Sequence, residues 1–233
     1  MHYAIIAAGE GSRLAQEGIL KPKPLIELDG RPMVKRLIDI FVQCQAQSVS
    51  IIVNEYMTQV REYLASLTLP VPLNVVVKTT PSSMHSFYEL SRVLPQGKFC
   101  LTTVDTIFRE PDFARYIAAF EADHDHHGMW AVTPFIDDEK PLYVDVDHNM
   151  DITAFCDQPF DGVRYVSGGI YAMDHRAFPV LEQCLQNGIS RMRNFQRALI
   201  QADFKLQAFS IDKIIDVDHA ADIETAKAFI NHS

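Results

Sequence analysis

Short apolar runs alternate with helix-period stretches, and this alternation constrains the fold more than any other feature of the chain. Residues 3–8, 48–53, 73–77 and 98–104 read as buried strands. Between the first two, Met33, Leu37, Ile38, Phe41 and Cys44 recur at helical spacing, and Val60, Tyr63, Leu64 and Leu67 do so after the second. Helices are expected at 32–45, 58–67, 83–94 and 111–122, the last opened by proline. Strand–helix units of this length pair their strands in parallel, put helices on both faces and cross over right-handed.

The middle of the chain has a different pattern. Residues 129–135, 143–147, 152–155 and 165–173 are strand-like with no long helix between them, which predicts an antiparallel extension of the sheet. Helices return at 175–186, ended by Asn187-Gly188, and at 192–202. Strands at 205–211 and 214–217 and a helix at 219–230 follow. The expected fold class is α/β: a mostly parallel, doubly wound, Rossmann-like sheet with an antiparallel extension. At roughly 150 residues per domain, the 233 residues read as one domain.

Composition narrows the partners. Lys plus Arg is 21 against 30 Asp plus Glu, a formal charge of −9, which argues against nucleic acid as a ligand. No run approaches the roughly 20 apolar residues of a membrane span, and the first residues lack a signal-peptide pattern, so no membrane association is expected. Cys44, Cys100, Cys156 and Cys184 are widely separated with no CxxC pair, which favours a reducing cytoplasmic setting over disulfides or zinc. Asn231-His232-Ser233 has the form of a glycosylation triplet and is read as chance.

Ligands of such sheets bind outside the carboxyl ends of the strands. There the first strand runs into Ala8-Gly9-Glu10-Gly11-Ser12-Arg13, with Lys21-Pro22-Lys23-Pro24 a few residues on. The loop is neither a Walker A nor a dinucleotide fingerprint. Two glycines let backbone amides approach a ligand closely, Arg13 offers a planar fork for phosphate oxygens, and Lys23 between two prolines offers a point charge. In an acidic chain this cationic strand end points to a polyphosphate; a solvated basic loop is the bland alternative.

The combined pattern, Ala7-Ala8-Gly9-x-Gly11-Ser12-Arg13-Leu14 followed by Pro22-Lys23-Pro24-Leu25, resembles the nucleotidyltransferases that make NDP-sugars, together with the phosphocholine cytidylyltransferases and MobA-like enzymes. The resemblance implies a glycosyltransferase-A-type fold and transfer from an NTP to a phosphorylated acceptor, a sugar-1-phosphate first, with release of pyrophosphate. It implies that residues 1–125 bind the nucleotide and 126–233 the acceptor. Ala8, Gly9, Gly11 and Ser12 then border the nucleotide, with Arg13 on the leaving pyrophosphate and Lys23 on the α-phosphate. Ser82 and Ser83 are expected to contact the base, although their setting also makes an ordinary helix cap.

Charge accumulation in such a transfer calls for Mg²⁺, which takes one or two carboxylates plus phosphate oxygens and water. The resemblance places Asp105 and Asp216 as its ligands, with Val104 where relatives usually have glycine. Asp218 is read as a helix N-cap and Asp222 as a first-turn acid. On the acceptor side Gln158 stands where relatives have a lysine, and Gly169 would allow close approach of the acceptor or mark a sheet bulge. Arg164 and Arg193 are candidate replacements for the missing cation. The cluster His124-Asp125-His126-His127 reads as a solvated helix end, and Trp130, Phe135 and Tyr143 as sheet packing rather than a cage for choline.

Two other classes stay open: a glycosyltransferase on the same fold, for which Asp145-Val146-Asp147 has the DxD form but sits in the wrong strand, and a non-catalytic nucleotide-binding protein. The base, the acceptor and whether the chain forms a homo-oligomer stay open too.

Overall fold

Nine strands hydrogen-bond into one sheet whose parallel half is the alternation read from the sequence. The computed structural model describes residues 1–136 and 139–231; His232 and Ser233 of the terminal triplet lie outside them. The chain runs through β1 (His2–Ala7), α1 (Ser12–Gln16), the hairpin β2 (Glu27–Leu28) and β3 (Arg31–Pro32), α2 (Met33–Gln43), β4 (Ser48–Val53), α3 (Thr58–Ser66) and β5 (Leu73–Val77). Next come α4 (Ser83–Ser91), β6 (Lys98–Thr103), β7 (Thr106–Ile107), α5 (Glu110–Ala122), β8 (Gly128–Thr133), β9 (Tyr143–Val146), β10 (Ile152–Cys156) and β11 (Tyr165–Asp174). Last are α6 (Phe178–Gln186), α7 (Met192–Gln201), β12 (Leu206–Ser210), β13 (Ile215–Asp216) and α8 (Ala220–Asn231).

The order β6-β1-β4-β5 is all parallel. Strand β11 pairs antiparallel with β6, β8 and β9, and β9 with β10, so the extension begins at β11. Strand β12 then pairs parallel with β8. β1 is buried on both faces: Tyr3, Ile5 and Ala7 join the core under α2, α3 and α5, while Ala4, Ile6 and Ala8 join the core under α4, α6 and α7. Tyr3 stacks on Phe41 at 4.4 Å between ring centroids, which locks β1 to α2.

A third, smaller core positions the site. Leu14 of α1, Ile26 and Leu28 beside the hairpin, Met33, Ile107 of β7, Ile215 and Val217 at β13, and Ile223 and Ala226 of α8 pack together. Each fully buried aliphatic side chain contributes about 1.5–3 kcal/mol, so this cluster holds the glycine loop, the Lys23 turn and the β13–α8 junction in one place. The hairpin β2–β3 and strand β7 were not expected. Two-residue strands carry no periodicity, and only their tertiary pairing defines them. The helix expected from residue 175 opens as a 3₁₀ turn, His175–Ala177, capped by the Asp174 carboxylate accepting from Arg176 N–H. Trp130 is a buried β8 residue whose Nε1 donates to Gln196 Oε1 at 3.0 Å. Asp145 accepts from Thr153 Oγ1 and Asp147 accepts from its own turn's backbone amides.

Candidate active site

The loops after β1, β6 and β13 meet at the carboxyl edge of the parallel strands. Ile6, Gly9, Gly11, Ser12, Arg13, Lys23, Ser83, Thr103, Val104, Asp105 and Asp218 line one cleft of about 400 Å³ there. Gly11 sits at φ +64, a conformation that disfavours side chains, and starts α1; a Cβ there would meet the Lys23 Cβ at 3.5 Å. The glycine loop therefore lies directly over Lys23.

Lys23 is the centre of the site. Its backbone forms a 3₁₀ turn preceded by Pro22, with Pro24 inside the turn, and its side chain is only 9% exposed. Nζ donates to Asp105 Oδ2 at 2.5 Å and to Asp218 Oδ1 at 2.8 Å. Arg13 Nη1 donates to the other oxygen of Asp218, Oδ2, at 2.8 Å. Burial opposes the Lys23 ammonium, but the two carboxylates outweigh it and hold its pKa above the ordinary lysine value. Burial likewise opposes the Asp218 carboxylate, yet Lys23 and then Arg13 keep its pKa below the usual range. Lys21 turns outward to Glu27, so position 23 alone of the two lysines enters the cleft.

The geometry separates the two aspartates: Asp218, and not Asp216, lines the Lys23 cleft, and the expected cap role of Asp218 is corrected. Asp218 does not cap α8. Asp222, at the third helical position, reaches back and accepts from Asp218 N–H and His219 N–H at 2.9 and 2.7 Å, half of a capping box. The Asp218 side chain is thereby released into the cleft, where Lys23 joins it to Asp105. Asp216 accepts from Thr106 Oγ1 at 3.2 Å across the β7–β13 pair and lines two adjoining lobes rather than the Lys23 cleft. Val217 between the two aspartates is fully buried and pins this register. Glu17, just after α1, completes the junction, taking Ala220 N–H and His219 Nδ1, each at 2.6 Å.

Other predicted residues divide. Ala8 is buried at the end of β1, bordering the loop. Ser83 lines both the Lys23 cleft and the next lobe, whereas the Ser82 hydroxyl is committed to His85 Nδ1 and Arg191 N–H. Gly169 lines that second lobe, together with Thr103, Ser167, Tyr171, Arg191, Arg193 and Gln196. It also marks an irregularity in β11 at φ +74, where a Cβ would meet Thr106 Oγ1 at 2.9 Å. Gln158, expected at the acceptor, is exposed in the bend after β10 and lines neither lobe. Its neighbour Asp157 binds Arg193 and Arg197. Val104 packs into the core beneath the loop.

Sequence reasoning missed Thr103, whose Oγ1 shares a 2.7 Å hydrogen bond with Thr106 and which borders both lobes. Its place at the carboxyl end of β6, two residues before Asp105, was the available signal. Among the described residues no three His, Cys, Asp or Glu side chains are grouped as a metal site. In the His124–His127 run, read from sequence as a solvated helix end, His126 bridges Asp123 and Asp151.

A glycine loop, two cations and two carboxylates thus gather at the carboxyl edge of a parallel sheet, where ligands of such α/β folds bind. The chain belongs to the MobA-like NTP transferase domain family, whose model matches residues 3–202. It is 29% identical over 110 residues to the 2-aminoethylphosphonate cytidylyltransferase of Lancefieldella rimae, covering 46% of this chain and 43% of that protein. It is 28% identical over 120 residues to the CMP-5'-(3-aminopropyl)phosphonate synthase of Streptomyces rubellomurinus, covering 51% of this chain and 19% of that one. The matched stretches thus span less than half the length of either curated relative. In fold it is similar to the inositol-1-phosphate CTP transferase from T. maritima, with a TM-score of 0.81 at 20% identity over 98% of this chain and 97% of that one. It is also similar to a CMP:2-keto-3-deoxy-manno-octonic acid synthetase complexed with CTP, with a TM-score of 0.75 at 16% identity over 99% and 98%. Among the described residues no helix is long and apolar enough to cross a membrane.

Proposed function

We propose that the chain transfers a nucleotidyl group from an NTP to a small acceptor bearing a phosphate or phosphonate, and releases pyrophosphate. An acceptor oxygen attacks the α-phosphorus; the bond from that phosphorus to the bridging oxygen breaks, and pyrophosphate leaves with the bonding electron pair. No protein nucleophile or general base is needed, because the acceptor is already anionic near neutral pH. CTP is the favoured donor, since both curated relatives are named for cytidine-nucleotide chemistry.

The observation that carries this reading is the Lys23 ammonium held between Asp105 and Asp218 under the glycine loop. Lys23 would meet the α-phosphate and Arg13 the departing pyrophosphate, so that charge is met by groups already in place. Asp105 and Asp218 fit Mg²⁺: their oxygens are hard donors, and one cationic group already bridges them. When bound there, Mg²⁺ would neutralise and orient phosphate oxygens. Gly9, Gly11 and Ser12 would border the triphosphate and Ser83 the nucleoside. The second lobe, with Gly169 and Asp216, would take the acceptor.

The test is a matrix of the four NTPs against 2-aminoethylphosphonate, phosphocholine, inositol-1-phosphate and glucose-1-phosphate, read by pyrophosphate release with Mg²⁺. Acceptor-dependent pyrophosphate from one NTP supports the reading. Pyrophosphate release that is indifferent to every acceptor, or its absence throughout, contradicts it.

A further inference from the structure

Gln158 lies outside the cleft, so the acceptor's anion needs a cation from elsewhere. Arg191 and Arg193 line the acceptor lobe. Arg193 is already engaged, with Nη1 on Asp157 Oδ1 at 2.6 Å and Nη2 on the Lys140 carbonyl at 2.9 Å. The exposed guanidinium of Arg191 has no hydrogen bond or ion pair among the described residues.

The backbone of Arg191 is equally distinctive. It sits at φ 73, ψ 137, a region that L side chains rarely occupy and glycine enters freely. Three contacts hold it there. Its N–H donates to Ser82 Oγ at 3.4 Å, and its carbonyl accepts the first amide of α7 to close, Asn194 N–H, at 3.1 Å. Asn194 Nδ2 donates to the preceding carbonyl, Ser190 O, at 2.8 Å. Strain of this kind persists only where surroundings over-determine it, and it concentrates at functional sites. The local backbone favours glycine here, yet the chain carries its most versatile anion-binding side chain.

We propose that Arg191 is the residue that recognises the acceptor's tetrahedral anion, gripping its phosphate or phosphonate oxygens in the lobe that shares Ser83 and Thr103 with the Lys23 cleft. This rests on the nucleotidyl-transfer reading for the identity of the lobe. Ser82 acts as a positioning residue: its hydroxyl fixes the Arg191 backbone.

Two measurements decide it. In the first, methylphosphonate is titrated calorimetrically into the wild type and into Arg191→Gln, Arg191→Gly and Arg115→Gln, the last an exposed arginine paired with Asp112 away from both lobes. Loss of a charge-assisted, two-pronged contact should weaken binding about tenfold or more in both Arg191 variants, and Arg115→Gln should stay within about twofold. Arg191→Gly should also melt at a higher temperature than the wild type, because it relieves the backbone while losing the ligand. A wild type that does not bind methylphosphonate, or an Arg191→Gln protein that binds it equally well, overturns the proposal. In the second, steady-state kinetics of Arg191→Gln should raise the acceptor KM about tenfold with the NTP KM unchanged; an unchanged acceptor KM overturns the proposal as well. If the wild type turns over no NTP, the transfer reading fails, while the methylphosphonate titration still decides Arg191.

Discussion

The Asp218 carboxylate meets the Lys23 ammonium at 2.8 Å across 195 positions of chain. This contact joins the loop after the first strand to the junction before the last helix, and it makes the phosphate cleft a product of tertiary folding. Lys23→Ala should lower kcat by about 10²–10³, the usual cost of removing one preorganised charge at a developing anion. Steady-state kinetics of the folded variant check this. Lys21→Ala, at a side chain paired outward with Glu27, should leave kcat within about twofold.

The two aspartates beside Val217 should separate cleanly. Asp218→Asn removes half of the carboxylate pair around Lys23 and should raise the Mg²⁺ concentration needed for half-maximal turnover by about tenfold or more. Asp216→Asn should keep that Mg²⁺ requirement and alter the acceptor KM, since Asp216 borders the acceptor lobe. Mg²⁺ titrations of the two variants decide between them. A normal Mg²⁺ response in Asp218→Asn with a shifted one in Asp216→Asn would return the metal to the position expected from sequence.

Asp222→Ala should act on stability. It deletes the acceptor of two backbone N–H groups at the start of α8, which costs about 0.5–2 kcal/mol for a helix cap. Chemical denaturation measures the loss. The kinetic constants should follow only as far as the freed Asp218 backbone drifts.

Much of this was legible in the chain. The parallel strands and their helices were readable because each apolar run is long enough to show its period, and β4 and β5 begin and end at the expected residues. Gly9, Gly11, Arg13 and Lys23 were readable because turn chemistry and charge are local. The partner of Asp105 was not. Asp216 and Asp218 flank the same buried Val217, so alternation treats them alike. The choice is made by Asp222, which takes over the capping that Asp218 was expected to perform. Gln158 and Arg191 were obscured for a related reason: which bend faces the cleft depends on how β10 and α7 pack, and the strained backbone at Arg191 has no glycine to announce it.

Two glycines should respond in opposite ways to alanine. Gly169→Ala places a Cβ 2.9 Å from Thr106 Oγ1 at a positive φ, and should destabilise the fold by about 1–3 kcal/mol while disturbing the Thr106–Asp216 contact. Gly9→Ala meets nothing within 4 Å and should melt like the wild type, but its methyl group should weaken NTP binding at the loop. Thermal melts with and without NTP distinguish the two.

His126 gives the fold a pH dependence remote from the cleft. Burial opposes its charge, but the hydrogen bonds it donates to the Asp151 and Asp123 carboxylates outweigh that and raise its pKa above the ordinary 6.5. A raised folded-state pKa means that this stabilisation is fully present below pH 6.5 and is lost as pH rises through the higher folded value. His126→Gln should therefore lower stability more at pH 5.5 than at pH 8.5, checked by denaturation midpoints at the two values. An equal loss at both would remove the charged bridge from the account.

The most direct test of nucleotidyl transfer is ³¹P NMR of the protein with CTP, Mg²⁺ and the acceptor panel. The account requires cleavage between the α- and β-phosphorus: free pyrophosphate should grow in step with a new cytidylyl–acceptor signal, and Lys23→Ala should slow both together. Intact CTP with every acceptor, or cleavage to CDP and inorganic phosphate, would contradict it.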